Sequence, residues 1–154
     1  MPIKLLDIDE DDMDKVSSLI YHTDEGLFSI LFGRDIAKAK RDIEKMVRIG
    51  NNSFGKENIY VCIDEEGIVQ GLLIAYDGET KSKMDDEKAF RQVFPFRKVL
   101  WLGIIDAILL SRIVTNKFPK NELYISNVSV SAESRGKGFG TKLMNMAHGI
   151  AKDR

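Results

Sequence analysis

Apolar and polar positions alternate in blocks along the chain, and the period inside each block predicts an element. Ile3 to Ile8 is short and apolar-rich, which predicts a first strand. An acidic run follows (Asp7, Asp9, Glu10, Asp11, Asp12, Asp14), and Met13, Val16 and Ile20 then recur at helical spacing. Carboxylates at a helix start meet the positive end of its dipole, so a helix with Asp9 as N-cap is expected. The run lacks the glycine and terminal Glu of a calcium loop, so a solvated helix start accounts for it better than a metal site. Asp35 to Ile49 predicts a second helix with Ile36, Ala39, Ile43, Met46 and Val47 as its apolar stripe. Gly50, Asn51 and Asn52 stop that helix.

Ile59 to Ile63 and Ile68 to Tyr76 read as two strands joined by the turn Asp64 to Gly67, an antiparallel hairpin. Gly71 inside the second strand points to a bulge or a close approach. From Asp77 to Asn121 the character changes. A polar stretch leads into Ala89 to Phe94, Pro95 interrupts, and Phe96 to Phe118 is apolar and helical in pattern until Pro119 closes it. Leu123 to Val130 is then a strand, Ser131 to Gly138 a loop, and Phe139 to Lys152 a helix. Phe139, Leu143, Met146, Ala147 and Ile150 share one face of that helix. The order is strand, helix, helix, strand, strand, helical insertion, strand, glycine loop, helix, which makes an α/β or α+β layered domain.

Length and charge narrow the function classes. A chain of 154 residues suits one domain over 1–154, with 77–121 as a helical insertion and 122–154 as a strand–loop–helix unit. With 23 basic and 24 acidic residues, no field of one sign dominates, and a nucleic-acid role gains no support. The single Cys62 cannot form an internal disulfide, and its apolar neighbours predict a buried, inert thiol in a reducing, cytoplasmic setting. Met1 to Asp7 has no signal-peptide pattern. The most apolar stretch, Val99 to Val114, is short for a membrane span and carries Asp106 and Arg112, so it reads as a buried or interface helix. His22 ends the first helix, where the dipole explains it, and His148 lies on the flank of the last helix. Neither has neighbours at metal-ligand spacing, and no metal is expected.

The chemistry-bearing stretch is Ile125 to Met144, ISNVSVSAESRGKGFGTKLM. A strand runs into Arg135-Gly136-Lys137-Gly138-Phe139-Gly140, and a helix begins at once. A helix start offers unpaired N–H groups and a positive dipole end, which together suit a phosphate. Glycines admit positive φ and close backbone approach, and Arg135 and Lys137 add charge. The dinucleotide fingerprint fails, because Thr141 occupies its third glycine slot. A P-loop near match, Gly50 to Glu57, ends in Glu57 and follows a helix instead of a strand.

What remains is [RQ]-x-x-G-x-[GA] after a strand, met by Arg135, Gly138 and Gly140 within the wider set Asn127, Val130, Arg135, Gly136, Gly138, Gly140 and Leu143. This stretch resembles motif A of the GNAT N-acetyltransferase superfamily. The resemblance implies a GNAT-like acyl-CoA N-acyltransferase fold with a mixed, mostly antiparallel sheet flanked by helices. It implies acetyl-CoA as co-substrate and direct transfer of an acetyl group to a primary amine of a small-molecule or protein acceptor. Backbone groups of Val128, Ser129 and Val130 would hold the pantetheine arm. The amides from Arg135 through Gly136, Lys137, Gly138, Phe139 and Gly140 would hold the pyrophosphate, with the Thr141 hydroxyl beside them. Phe139 itself packs inward in the family, and Lys137 either meets the 3′-phosphate or faces solvent. A backbone N–H of Val128 or Ser129 would polarise the thioester carbonyl.

Two departures accompany the match. The family continues past the point of Arg154 with further strands and a helix, so a missing C-terminal quarter and an open fourth strand are expected. The insertion of Asp77 to Asn121 is also long, and packing on its own domain is the first expectation. A lid over the acceptor, or a homodimer surface of Trp101, Leu102, Ile105, Ile108 and Leu109, are the alternatives. The position of a family Glu base is Tyr124 here; Glu122 is the nearest carboxylate, and Asn127 and Ser126 lie in a strand expected to be covered on both sides. Catalytic candidates are therefore Glu122, Tyr124 and Asn127. Competing functions are an acyl-CoA-binding module without turnover and an interaction protein using the apolar insertion helix.

Overall fold

The computed structural model describes residues 1–105 and 119–153. Its sheet is four antiparallel strands in the order of the chain: β1 (Ile3–Leu5), β2 (Ile59–Ile63), β3 (Val69–Asp77) and β4 (Leu123–Val130). Before β2 come α1 (Met13–Tyr21), α2 (Glu25–Phe32) and α3 (Ile36–Ile49); between β3 and β4 come α4 (Gly78–Lys83), α5 (Asp86–Val93) and α6 (Phe96–Ile105). The chain closes with α7 (Phe139–Lys152).

The layers follow from strand alternation. Side chains of successive residues point to opposite faces. Ile59, Val61, Leu72, Ile74 and Tyr76 pack with the buried faces of α1, α2 and α3. On the opposite face Cys62, Leu73 and Ala75 meet Phe139, Leu143 and Ala147 of α7. β3 has a layer on each side and is buried from Val69 to Tyr76. Ala39, Ile43, Met46 and Val47 of α3 and Phe139, Leu143 and Ala147 of α7 are buried as the 3.6-residue period predicts, whereas Ile36, the first residue of α3, is exposed and Met146 and Ile150 are half-buried. Cys62 is buried, and burial pushes its thiol pKa up, as expected of an inert thiol.

Several expectations change. The first strand stops at Leu5; Leu6 N–H instead bonds Ile59 O, at 2.9 Å. The N-cap of α1 is Asp12, not Asp9, and its carboxylate accepts from the N–H groups of Asp14 and Lys15. The carboxylates upstream build a turn first: Asp11 accepts from Asp7 N–H at 2.8 Å and pairs with Lys4 at 3.0 Å. An additional helix, α2, separates α1 from α3. Five of its eight residues are large and apolar, and Leu27 and Ile30 are exposed, so it has no clean amphipathic period to read.

The insertion divides in its behaviour. α5 packs on the core, with Phe90 and Phe94 stacking near Phe32 at centroid distances of 6.4 and 5.5 Å. Asp86 accepts from Ser53 N–H at 2.6 Å and from Lys81 Nζ at 2.5 Å, which ties α4 and α5 to the loop before β2. In α6, by contrast, Phe96, Leu100, Trp101 and Ile104 are exposed, so own-domain packing holds for α5 and not for that face. The rest of the expected helix, with Ile108 and Leu109, lies outside the described residues. No helix among the described residues is long and apolar enough to cross a membrane.

Candidate active site

β4 is an edge strand, paired only with β3 among the described strands. The expectation of cover on both sides is corrected: Ser126 is exposed, and Ile125 and Val128 are also exposed. The register runs Asn127 opposite Ile74 and Ile125 opposite Ala75, which leaves Ser126 as an extra residue, a bulge. Bulges bend a strand and re-aim its groups, here one residue before Asn127 and two before Val128.

Asn127 is tied to a distant segment. Its Nδ2 donates to Thr23 Oγ1 at 3.0 Å, and its Oδ1 accepts from Ser126 Oγ at 2.8 Å. Thr23 Oγ1 donates in turn to Ile20 O at 2.6 Å. The bulge is thereby stapled to the turn between α1 and α2. His22 sits in that turn and its Nδ1 lies 2.7 Å from Glu25 Oε1, a partner the dipole argument does not supply. Tyr124 Oη donates to Glu122 Oε2 at 3.3 Å. Desolvation, then the charge and hydrogen bond of Glu122, push the phenol above its ordinary pKa, so Tyr124 keeps its proton at neutral pH.

The loop after β4 turns once through a short 3₁₀ segment, Ala132–Ser134, before the glycines. Gly136 and Gly138 have φ of +76° and +87°, in the left-handed region where a side chain is strained. A Cβ at either would meet nothing within 4 Å, so the space above both is open. Gly138 is the N-cap of α7 and brings no capping side chain. The first intrahelical bond is Lys142 N–H to Gly138 O, at 3.1 Å. The N–H groups of Phe139, Gly140 and Thr141 therefore form the uncapped helix end. Phe139 points the other way and is buried against the sheet, while Arg135, Lys137 and Thr141 are exposed. The result is a backbone cradle with positive partial charge, flanked by two cations and open to solvent.

Part of the loop is anchored by residues that the sequence pattern does not single out. Gln70 Oε1 accepts from Ser131 Oγ at 2.7 Å and from Ser134 Oγ at 2.8 Å, and all three residues are buried. Gln70 Nε2 donates to Asp64 Oδ2 at 2.7 Å. A lone Gln between Val69 and Gly71 in an otherwise apolar strand was the available signal. On the outer side, Glu133 pairs with Lys15 of α1, and that bond holds its carboxyl below the usual range.

The profile of the acetyltransferase (GNAT) family matches residues 77–154. The chain belongs to the GNAT acetyltransferases. It is thus a transferase of acyl groups, and the match takes in β4, the glycine loop and α7 together. An N-acetyltransferase of Staphylococcus aureus Mu50 superimposes with a TM-score of 0.65 at 20% identity, covering 95% of this chain and 74% of the other. Another acetyltransferase gives 0.71 at 20% identity, over 99% and 75% of the two chains. A histone acetyltransferase and related acetyltransferase of Corynebacterium glutamicum gives 0.54 at 18% identity, over 99% and 71%. Identities this low show a shared GNAT fold and nothing about shared acceptors. No curated protein matches the chain.

Within this GNAT fold, Val128, Ser129 and Val130 lie on the edge strand, and Arg135 to Thr141 form the cradle, adjacent in space as well as in sequence. Glu122, Tyr124 and Asn127 share the same strand, Glu122 just before its start, but Asn127 bonds Thr23 and not the pair Glu122–Tyr124. No group of three or more His, Cys, Asp and Glu among the described residues is placed to hold a metal ion.

Proposed function

We propose that this protein takes an acetyl group from acetyl-CoA and delivers it directly to a primary amine, of a small molecule or of a protein. The observation that carries this reading is the uncapped start of α7. Gly138 supplies no capping side chain, a Cβ at Gly136 or Gly138 would meet nothing within 4 Å, and the helix-start amides of Phe139, Gly140 and Thr141 have no intrahelical acceptor. A pyrophosphate is the anion such a cradle suits, because several N–H groups and a dipole end converge without any Cβ. Arg135 and Lys137 would balance its charge, and the Thr141 hydroxyl lies at the same helix start.

The remaining steps fall to β4. Peptide groups of successive residues in a strand alternate between its two edges. One of the Val128 and Ser129 N–H groups consequently faces the open edge, where it would bond the pantetheine arm or polarise the thioester carbonyl. In the transfer, the amine nitrogen forms a bond to the acetyl carbon, the C–S bond breaks, and the CoA sulfur leaves with the electron pair. Orientation on the strand supplies much of the rate. The ammonium proton must go to a base; Glu122, which accepts from Tyr124 Oη, stands at the start of the strand, six residues before Val128, so it would take the proton only through a chain of waters. In a competent pair of substrates, Glu122→Gln should lower kcat and leave KM for acetyl-CoA unchanged; an unchanged kcat removes Glu122 from this role.

Isothermal titration of acetyl-CoA tests the central claim. The wild-type chain should bind, and Gly138→Trp should not, because the indole fills the space above the cradle. Equal binding by both proteins would sink the cradle assignment. Binding with no transfer to any amine in an acceptor screen would favour a binding module without turnover.

A further inference from the structure

We infer that Gln70 is a positioning residue for the pyrophosphate loop: its side-chain amide fixes where the cradle sits relative to the edge strand. The inference rests on the reading of that loop as the acyl-CoA site.

Gln70 is on β3, and the loop it holds follows β4, so its bonds run across the sheet to the loop after the next strand. Its Oε1 accepts from Ser131 Oγ at 2.7 Å and Ser134 Oγ at 2.8 Å. Its own carbonyl accepts from Ser131 N–H at 2.8 Å. One residue therefore grips the loop at both ends of its first turn, and Arg135 follows immediately. Ser134 O accepts from Lys137 N–H at 3.3 Å, so the grip extends into the glycine run.

The grip is oriented from behind. Gln70 Nε2 donates to Asp64 Oδ2, at 2.7 Å. Asp64 Oδ1 accepts from Glu66 N–H at 3.0 Å and Ile68 N–H at 2.9 Å, which fixes the carboxylate in the hairpin turn. With Nε2 committed to an acceptor, Oε1 is the atom that faces the two hydroxyls. A Gln can serve here because it donates at one end and accepts at the other. Gln70, Ser131 and Ser134 are each more than nine-tenths buried, so water does not readily replace these bonds.

A loop held this way is preorganised. The cradle amides converge before the anion arrives, and binding need not supply the ordering. Stability alone would not require it, since apolar groups of the same shape can replace a buried polar trio at little cost.

That difference defines the test. Gln70→Met removes the acceptor shared by the two hydroxyls, of which Ser131 keeps only its contact with the Glu133 carboxylate. The triple variant Gln70→Met, Ser131→Ala, Ser134→Ala removes the hydroxyls as well. Thermal melts and acetyl-CoA titrations are run on wild type and both variants, with hydrogen exchange of the ligand-free proteins across residues 135–142. Gln70→Met should lower Tm, weaken acetyl-CoA about tenfold and speed exchange of the loop amides. The triple variant should recover most of the Tm and little of the affinity. Wild-type affinity in Gln70→Met, or affinity recovered together with Tm in the triple variant, overturns the positioning role. Should wild type itself not bind acetyl-CoA, the proposed function fails, and the grip is judged on ligand-free exchange: faster loop exchange in Gln70→Met keeps it, and unchanged exchange removes it.

Discussion

Gly71→Ala tests the coupling between the core and β4. Gly71 lies opposite Val130 on β4. A Cβ built there would stand 3.0 Å from Ser129 O, 3.2 Å from Leu143 Cδ1 and 3.4 Å from Val130 Cγ2. Leu143 can shift its terminal methyl, but Ser129 O is backbone in the strand that flanks the site. Relief of the contact requires β3 and β4 to part by a few tenths of an ångström. Inserting a methyl group into a packed core costs about 1–3 kcal/mol. Replacing Gly with Ala returns about 0.4–1 kcal/mol by restricting the unfolded chain. The net loss is centred on ~1.3 kcal/mol, which for a chain of this size is a fall in Tm of about 3–5 °C. Gly149→Ala is the control: it is exposed in α7, its Cβ would meet nothing within 4 Å, and helix propensity should raise Tm. Calorimetry on both variants, with acetyl-CoA titration of Gly71→Ala, reads the result. Gly71→Ala should melt lower and bind acetyl-CoA more weakly, because the displaced strand carries Val128 and Ser129. A Tm at or above wild type would falsify the packing argument, and a lower Tm with unchanged affinity would break its link to the site.

Further outcomes concern the first half of the insertion and its response to acid. Asp86→Ala should cost about 1–3 kcal/mol at neutral pH, since Ser53 N–H and Lys81 lose their acceptor in a part-buried setting. Burial raises the Asp86 pKa, yet bonds from Lys81 and Ser53 outweigh it, and the folded value ends below the ordinary one. Stability from such a group is present above the unfolded pKa, about 3.9, and is lost as pH falls through the folded value. The gap in Tm between wild type and Asp86→Ala should therefore narrow below about pH 4, and a gap that stays constant down to pH 2 would remove the ion pair as its cause.

Much of this protein was determined by local sequence. The stripe of α3, the hairpin β2–β3, the full extent of β4 and the start of α7 all follow from residue period and glycine placement, because each is a response to neighbours within a few positions. The same holds for the cradle: a strand, a glycine run and a helix start are contiguous, so their chemistry is contiguous too. Where several local solutions competed, the sequence reading slipped. The carboxylates around Asp9 and Asp12 could each cap α1, and a side chain from β1, Lys4, engages the turn at Asp11. The tertiary structure alone decided what lies far apart in the chain. Gln70 reaches Ser131 and Ser134 across 61 and 64 positions, and Asn127 reaches Thr23 across 104. Pairings at such separation leave no period in the sequence, because they depend on strand register and on which side chains share a buried layer. The bulge at Ser126 belongs to the same class: it exists only in the pairing of β4 with β3.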